Sequence, residues 1–231
     1  MSFGQPILAI DTCGPTGSVA LGRLPGRDLE ILGQTELAGR TYSATLVAAV
    51  ADLLRAAGIE LKELGGIVVV NGPGSFTGVR VGLSAAKGLA ESAEIPVVAV
   101  SRLEVLSRKS GVPSSAINAH RNEVFLRLER MGSAANEILA GAHELAAIDL
   151  PPVRVAVCDD EAAAIVAAAW PNTQLVMTAS PVAVDTLRIG EGRLTAGAVA
   201  DLALLDGHYL RRSDAEIFGA GGDSKQVPAR S

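Results

Sequence analysis

Residues 66–91, GIVVVNGPGSFTGVRVGLSAAKGLAE, join a short apolar run to a long, weakly charged segment through a glycine-rich turn. The β-branched residues 67–70 predict a buried strand, and Asn71-Gly72-Pro73-Gly74 is a strong turn signal. Apolar and small residues over 76–93 predict a helix. A strand, a turn and a helix in this order indicate an α/β protein.

The segments before and after this stretch extend the pattern. Residues 6–11, 18–23 and 30–38 are separated by turn signals and predict three strands of an antiparallel meander. Residues 43–57 carry apolar side chains at helical spacing, and residues 96–100 predict another strand. The first half is therefore predicted to contain a meander, a helix, a strand, a second helix and a last strand.

The second half repeats this element order less regularly, after a boundary placed at residues 102–113. Its predicted elements are a short helix at 102–109, strands at 115–118, 124–129, 153–157 and 174–177, and helices at 161–170 and 195–210. We therefore predict two lobes, residues 1–105 and 106–212, with the last helix packing back on the first lobe. Residues 213–231 are rich in glycine and serine and are predicted to form a flexible tail.

The composition favours a folded protein that does not grip nucleic acid alone. Apolar residues make up 48% of the 231 residues, which is enough to bury a sizeable core. The formal net charge is −5 and the pI is about 5.3, whereas binding to phosphate backbones needs a basic surface. A subunit of a larger RNA-acting complex remains compatible with this charge.

Cysteine usage and the apolar runs favour a cytoplasmic protein. Cys13 and Cys158 form no CxxC pair, so a disulfide framework or a zinc ribbon is not indicated. Residues 1–10 do not resemble a signal peptide. The longest apolar run, residues 162–170, is about half of what a bilayer requires. We therefore expect no membrane contact.

The second long helix has small residues at every fourth position, which predicts close contact with another backbone. Each helical glycine costs about 1 kcal/mol relative to alanine, so a compensating contact is expected. We predict that another subunit docks on the two long helices. The alternative is that these helices cover only their own sheet and each other. The predicted interface residues are Ala44, Ala48, Phe76, Gly78, Val79, Gly82, Leu83, Ala86 and Ala90.

Residues with catalytic potential are sparse. Gly72 and Gly74 lie between a strand and a helix, where backbone N–H groups can hold phosphate, although a tight turn is the alternative. Asp11 is the best candidate for a site carboxylate, and a hydrogen bond within its own turn is the alternative. The sequence has neither an HExxH pair nor a GxSxG elbow. We therefore expect no catalytic residue, metal or cofactor.

Five blocks of the sequence resemble those of the TsaB (YeaZ) family. The blocks are ILAIDTCGPTGSVALG at 7–22, NGPGSFTGVRVGLSAAKGLA at 71–90, PVVAVSRLEVL at 96–106, NAHRNEVFLRLER at 118–130 and HYLRRSDAE at 208–216. The GPGSFTGxR block is highly specific, and the resemblance spans the chain to about Glu216.

The resemblance implies a fold of two ribonuclease-H-like lobes, as in actin and sugar kinases (the ASKHA superfamily). It also implies a non-catalytic subunit for the threonylcarbamoyladenosine (t6A) modification of the adenosine next to the tRNA anticodon. The expected partners are the catalytic, metal-holding paralogue TsaD and the ATPase TsaE, with tRNA reached only through the complex. The contact with TsaD is expected to be a helix bundle made by helices 43–57 and 76–90, and the same face would support a homodimer of the isolated chain.

Two positions depart from the family pattern. Tyr42-Ser43 replaces a common His-Ser pair, and Asn118-Ala119-His120-Arg121 replaces a common Asp-Ala-Arg sequence. Both changes weaken any ligand role at these positions. An alternative function is a small actin-like ATPase or kinase with nucleotide between its lobes, supported by Asp11 and the Gly72–Gly74 turn. A peptidase is not indicated, because the sequence contains no nucleophile or metal constellation.

Overall fold

The computed structural model describes residues 4–26, 28–38, 42–130 and 132–211, and the predicted tail at 213–231 lies outside them. Two five-stranded sheets dominate this structure, and each combines an antiparallel meander with two further parallel strands. Sheet A contains β1 (Ile7–Asp11), β2 (Gly17–Arg23), β3 (Glu30–Leu37), β4 (Gly66–Val70) and β5 (Val97–Val100). Sheet B contains β6 (Ser114–His120), β7 (Glu123–Leu128), β8 (Asn136–Ala140), β9 (Arg154–Val157) and β10 (Gln174–Met177).

The two sheets have the same strand order. Sheet A runs β3-β2-β1-β4-β5, and sheet B runs β8-β7-β6-β9-β10 when read in the same direction. In both sheets the first three strands pair antiparallel and the last two add in parallel to the first strand. The predicted duplication of the meander-and-parallel pattern is therefore present, and the architecture is the two-lobed ASKHA-like fold.

Helices cover both faces of sheet A. The helices are α1 (Tyr42–Ala57), α2 (Phe76–Ala93), α3 (Arg102–Ser110), α4 (Ala142–Ala146), α5 (Asp160–Ala169) and α6 (Leu187–Thr195). Helices α1 and α2 pack side by side on one face, and α6 packs on the other. Strand β4 is buried along its whole length, which explains why its sequence is a continuous apolar run.

Helix α3 begins at Arg102 and packs on sheet B, so the passage from one sheet to the other lies at residue 101. Helix α6 returns to sheet A, where Gly190 faces Val68 across a gap with no room for a side chain. Two short 3-10 turns, Leu61–Glu63 and Ala183–Thr186, complete the regular structure. No helix within the described ranges is long and apolar enough to cross a membrane.

The predicted helix at residues 195–210 is wrong. Helix α6 ends at Thr195, and the chain then continues without a helix to residue 211. The backbone of this segment forms hydrogen bonds with sheet A instead of a helix. For example, Ala200 N–H donates to the Val97 carbonyl (2.8 Å). The side chain of Asp201 accepts from Ala203 N–H, a local bond that competes with helix formation.

Candidate functional site

A cavity of about 1050 Å³ separates the two lobes. Its first-lobe wall comprises the β1–β2 turn and the turn before α2, including Gly14 and Gly74. The second-lobe wall includes the β6–β7 turn, where His120, Arg121 and Asn122 all have positive φ. Positive φ is unfavourable for non-glycine residues, so three such residues in a row make this turn locally strained. The turn is stabilised by the side-chain oxygen of Asn118, which accepts from His120 N–H (2.8 Å).

Asp11 precedes the cavity-lining turn of the first lobe and is paired with Arg102, which lines the cavity. Its Oδ2 is 3.8 Å from Nε of Arg102, and the two residues are only 1% and 4% exposed. Its Oδ1 accepts from Cys13 N–H at 2.8 Å, the turn hydrogen bond that was the alternative to a site role. The guanidinium of Arg102 also donates to Ser180 Oγ (3.0 Å). Asp11 is thus a buried counter-ion of Arg102, and Arg102 in turn contacts both the first turn and Ser180.

Cys13 beside this pair is a protonated thiol. Burial raises the pKa of Cys13 well above its usual value, and the negative charge of Asp11 raises it further, whereas Arg102 lowers it. Its Sγ donates to the Val70 carbonyl at 3.2 Å. A raised pKa removes the thiolate that a nucleophilic cysteine needs. Cys13 therefore packs as a small apolar residue.

The glycine turn packs against its own chain. A Cβ on Gly74 would clash with the carbonyl of Cys13, and a Cβ on Gly72 would lie 3.0 Å from the carbonyl of His208. Gly72 also has a φ of +113°, which favours glycine. Ser75 N–H donates to the Cys13 carbonyl at 2.9 Å. Close packing therefore accounts for both glycines, and a phosphate role at Gly72 and Gly74 stays a prediction.

The stripe of small residues on α2 faces β1 and the turn after it. Gly78, Gly82, Ala86 and Ala90 are all buried within the chain, as are Val79 and Leu83. A Cβ on Gly78 or Gly82 would clash with Thr12, whose Oγ1 donates to the Gly78 carbonyl at 2.6 Å. The structure thus corrects the expectation that this stripe leaves a groove for a neighbouring chain. The compensating contact is with the chain's own first strand, the alternative considered above.

The opposite side of α1 and α2, here called the outer face, is exposed, and its charged residues are Asp52, Arg55, Arg80 and Glu91. On α1 it carries Ala44, Ala48 and Ala51, with Val47 55% exposed. Its α2 part is formed by Phe76, Thr77, Arg80, Ser84 and Gly88. A Cβ on Gly88 would contact nothing within 4 Å. Three of the predicted interface residues, Ala44, Ala48 and Phe76, therefore lie on this surface.

Tyr209 joins the outer face to the cavity, a contact that the sequence analysis missed. The rings of Phe76 and Tyr209 lie 5.0 Å apart, and the guanidinium of Arg80 lies 3.6 Å from the centre of the Phe76 ring. Arg80 Nε donates to Tyr209 Oη at 3.3 Å. The spacing of Phe76 and Arg80 along one helix face was visible in sequence, but nothing there indicated that a residue 129 positions away completes the stack.

Tyr42, which departs from the family pattern, has a structural role. Its hydroxyl donates to the carbonyl of Gly14 (3.0 Å), and its ring lies against Gly17. Within the residues that the structure describes, no three or more His, Cys, Asp or Glu side chains are grouped as metal ligands would be. Among the side chains at the cavity, Arg102 contacts Asp11 and Ser180, and Tyr42 donates to the backbone of the first turn.

Comparisons with known proteins agree with this architecture. A family model for the tRNA N6-adenosine threonylcarbamoyltransferase TsaD matches residues 33–134. The tRNA threonylcarbamoyladenosine biosynthesis protein TsaB of Escherichia coli K12 is 38% identical over 125 residues, 52% of each chain. TsaB of Bacillus subtilis 168 is 39% identical over 126 residues, 53% of this chain and 54% of the relative. The chain matches about half the length of these curated relatives.

A solved structure extends the match to nearly the whole chain. YeaZ from Pseudomonas aeruginosa superposes with a TM-score of 0.68 and 25% identity, covering 89% of this chain and all of the other. The sequence matches and this structural match concern the same group of proteins. The sequence over about half its length, and the fold over nearly all of it, are therefore similar to those of the TsaB (YeaZ) proteins.

Proposed function

We propose that this chain is a non-catalytic subunit of tRNA t6A biosynthesis that binds and activates TsaD through its outer face. The names of the curated relatives support the pathway. The exposed alanine and valine side chains of α1 are the single observation that supports docking. TsaE would join the complex of the two chains, and tRNA would be bound only by that complex.

The composition of the outer face fits helix-to-helix packing. A surface helix normally keeps its solvent side polar, but α1 presents Ala44, Val47, Ala48 and Ala51 there. Small side chains allow helix axes to approach to about 8–10 Å. Gly88 on α2 has no neighbour that would compensate for its cost within the chain. A partner helix lying across both helices would bury these residues and use that open space.

TsaD is the occupant that we propose, because the family model that matches this chain is that of TsaD itself. Two chains built on one fold can present matching helix pairs, so that α1 and α2 pair with their counterparts in a four-helix contact. A second copy of this chain would offer the same pair, so we propose that the chain forms a homodimer in the absence of TsaD.

We assign catalysis to the partner because Asp11, the best candidate for a catalytic carboxylate in this chain, is paired with Arg102. Asp11 is faced by Arg102, so its charge is neutralised within the chain. A Cβ on Gly14 would meet the guanidinium of Arg102, so this side chain also occupies the space beside the first turn. A nucleotide whose metal ion needs that carboxylate would have to displace a buried arginine. This geometry argues against the alternative of an actin-like ATPase or kinase.

The outer face is tested by placing a charge on it. Val47→Glu should lower the affinity for purified TsaD at least about tenfold, because the partner would bury an unpaired carboxylate. The matched control is Val153→Glu, an equally drastic change at an 81% exposed valine of the second lobe. Calorimetry of each variant against TsaD gives the dissociation constants, and thermal unfolding confirms that both variants fold.

An unchanged affinity of Val47→Glu would rule out docking through the outer face. Gly82→Leu and Ala86→Glu are unsuitable for this purpose. Both residues are buried inside the chain, so their loss of binding would only report a disrupted fold.

A further inference from the structure

The segment of residues 200–211, here called the strap, leaves α6 and crosses from one lobe to the other. On the first lobe, Ala200 N–H donates to the Val97 carbonyl (2.8 Å) and His208 N–H donates to the Asn71 carbonyl (2.6 Å). Between these bonds, Leu205 is buried in the core of sheet A. The strap is thus fastened along the edge of sheet A up to the turn that precedes α2.

The last residues of the strap contact the second lobe. His208 Nε2 lies 2.9 Å from Oε2 of Glu137 on β8. Arg211 is paired with Glu123 on β7, and Leu210 packs on the apolar cluster between α3 and sheet B. His208 therefore carries a backbone bond to one lobe and a side-chain bond to the other. The chain passes from sheet A to sheet B within about four residues, at the rim of the cavity.

Apart from Leu210, these second-lobe contacts are polar and replaceable. The His208 side chain is 38% exposed, and Arg211 and Glu123 are 24% and 32% exposed, so water competes for these groups. Glu137 would stay paired if His208 left, because it also accepts from Arg127 Nη1 (2.8 Å) and Ser101 Oγ (2.7 Å). Detachment of the strap would thus leave no buried carboxylate without a partner.

The first-lobe anchors are of a different kind. Leu205 is buried in the core and would resist removal, whereas Tyr209 is partly buried against that core, stacks on Phe76 and accepts from Arg80. Local opening in proteins follows such differences, since segments with few buried apolar contacts open at lower free energy than the core. The strap is therefore anchored most firmly at Leu205, and beyond it by the His208–Asn71 backbone bond and by side chains that are only partly buried.

We propose that the strap is a releasable clamp that sets the separation of the two lobes. In the closed state, residues 208–211 bridge the rim and restrict entry to the cavity. When the contacts beyond Leu205 break, including the His208–Asn71 backbone bond and the packing of Leu210, this end swings away from its anchor, the lobes separate and the cavity opens.

The chain carries its own reporter of this opening. Both cysteines line the cavity, but Cys158 is only partly buried, whereas Cys13 is 2% exposed and its Sγ donates to the Val70 carbonyl within the first lobe. Labelling with 5,5′-dithiobis(2-nitrobenzoate), followed by peptide mapping, measures the reaction rate of each thiol. Burial raises the pKa of Cys158, so all variants are compared at one fixed pH. Opening of the cavity would increase both access to this thiol and its ionisation.

The test compares a released strap with an intact one. His208→Ala/Tyr209→Ala should speed Cys158 labelling about tenfold and leave Cys13 unlabelled, since only the lobe separation changes. Arg211→Ala is the milder variant and should raise the rate in the same direction. Leu204→Ala changes a 79% exposed side chain of the same strap and should leave the rate as in the unmodified chain.

Two outcomes would overturn the proposal. One is an unchanged Cys158 rate in both Arg211→Ala and the double variant. The other is a rise in Cys13 labelling in parallel with Cys158 together with a lowered unfolding temperature, which would show global unfolding. Thermal unfolding of each variant separates these outcomes, and the test does not require TsaD.

Discussion

At the scale of single residues, the pair of Asp11 and Arg102 shows how a site-like residue can be structural. Asp11 follows an apolar strand at the start of a turn, the position expected of a catalytic carboxylate. Its arginine partner lies 91 positions later and reaches it only after the strands have assembled. Sequence could thus identify the buried carboxylate but not its counter-ion, because the pairing depends on tertiary structure.

Asp11→Asn should destabilise the fold by about 3–5 kcal/mol, because it leaves a buried guanidinium without a counter-ion. Asparagine retains an oxygen that can accept from Cys13 N–H, so the loss isolates the charge. Urea unfolding at neutral pH measures the free energy. The control is Asp52→Asn, an exposed partner of Arg55, for which we expect about 0–1 kcal/mol. A cost for Asp11→Asn as small as that of the control would show that the pair contributes little.

At the scale of elements, helix α2 shows what periodicity can and cannot predict. Its existence and bounds follow from the apolar pattern, and the predicted 76–93 matches Phe76–Ala93. Which surface its glycines face depends on the sheet below. Gly78 meets Thr12 and Gly88 meets open space, although both are helical glycines in the same segment. Strand β8 and helix α4 were not predicted, because their segments are short and weakly patterned.

The two glycines give a matched test within one helix. Gly88→Ala should stabilise the isolated chain by up to about 1 kcal/mol, since alanine is the better helix former and its Cβ meets nothing. Gly78→Ala should destabilise it by several times that amount, because its Cβ would overlap the backbone carbonyl of Thr12. Urea unfolding of both variants measures the difference. Similar effects in the two variants would mean that α2 is not seated on Thr12 in this way.

At the scale of the whole molecule, the duplicated sheets were predictable and their connection was not. The sequence predicted a meander and further strands in the first half and a less regular repeat of this order in the second half, and both sheets have the same strand order. The strap was instead predicted as a helix, because its leucines and alanines resemble helical spacing. Backbone bonds to Val97 and Asn71 override that local preference. Contacts between lobes arise from such long-range bonds, which local pattern does not encode.

Glu137 on β8 forms hydrogen bonds with His208 of the strap, with Ser101 at the passage between the sheets and with Arg127 on β7. Its ionisation therefore predicts how the stability of the molecule responds to acid. Burial raises the pKa of Glu137, but hydrogen bonds from His208, Ser101 and Arg127 outweigh this effect. The pKa of Glu137 therefore lies below its usual value. A carboxyl with a lowered pKa in the folded state contributes stability above its unfolded pKa, and that contribution is lost as the pH falls through the folded value. Stability should therefore decline below about pH 4.5, and Glu137→Gln should flatten this decline.

Urea unfolding between about pH 7 and pH 3.5 measures the pH dependence of stability for the unmodified chain and for Glu137→Gln, with Glu91→Gln on the exposed side of α2 as the control. If Glu137→Gln kept the full acid dependence, the carboxylates responsible would lie elsewhere, and the bond between the strap and β8 would not depend on the charge of Glu137.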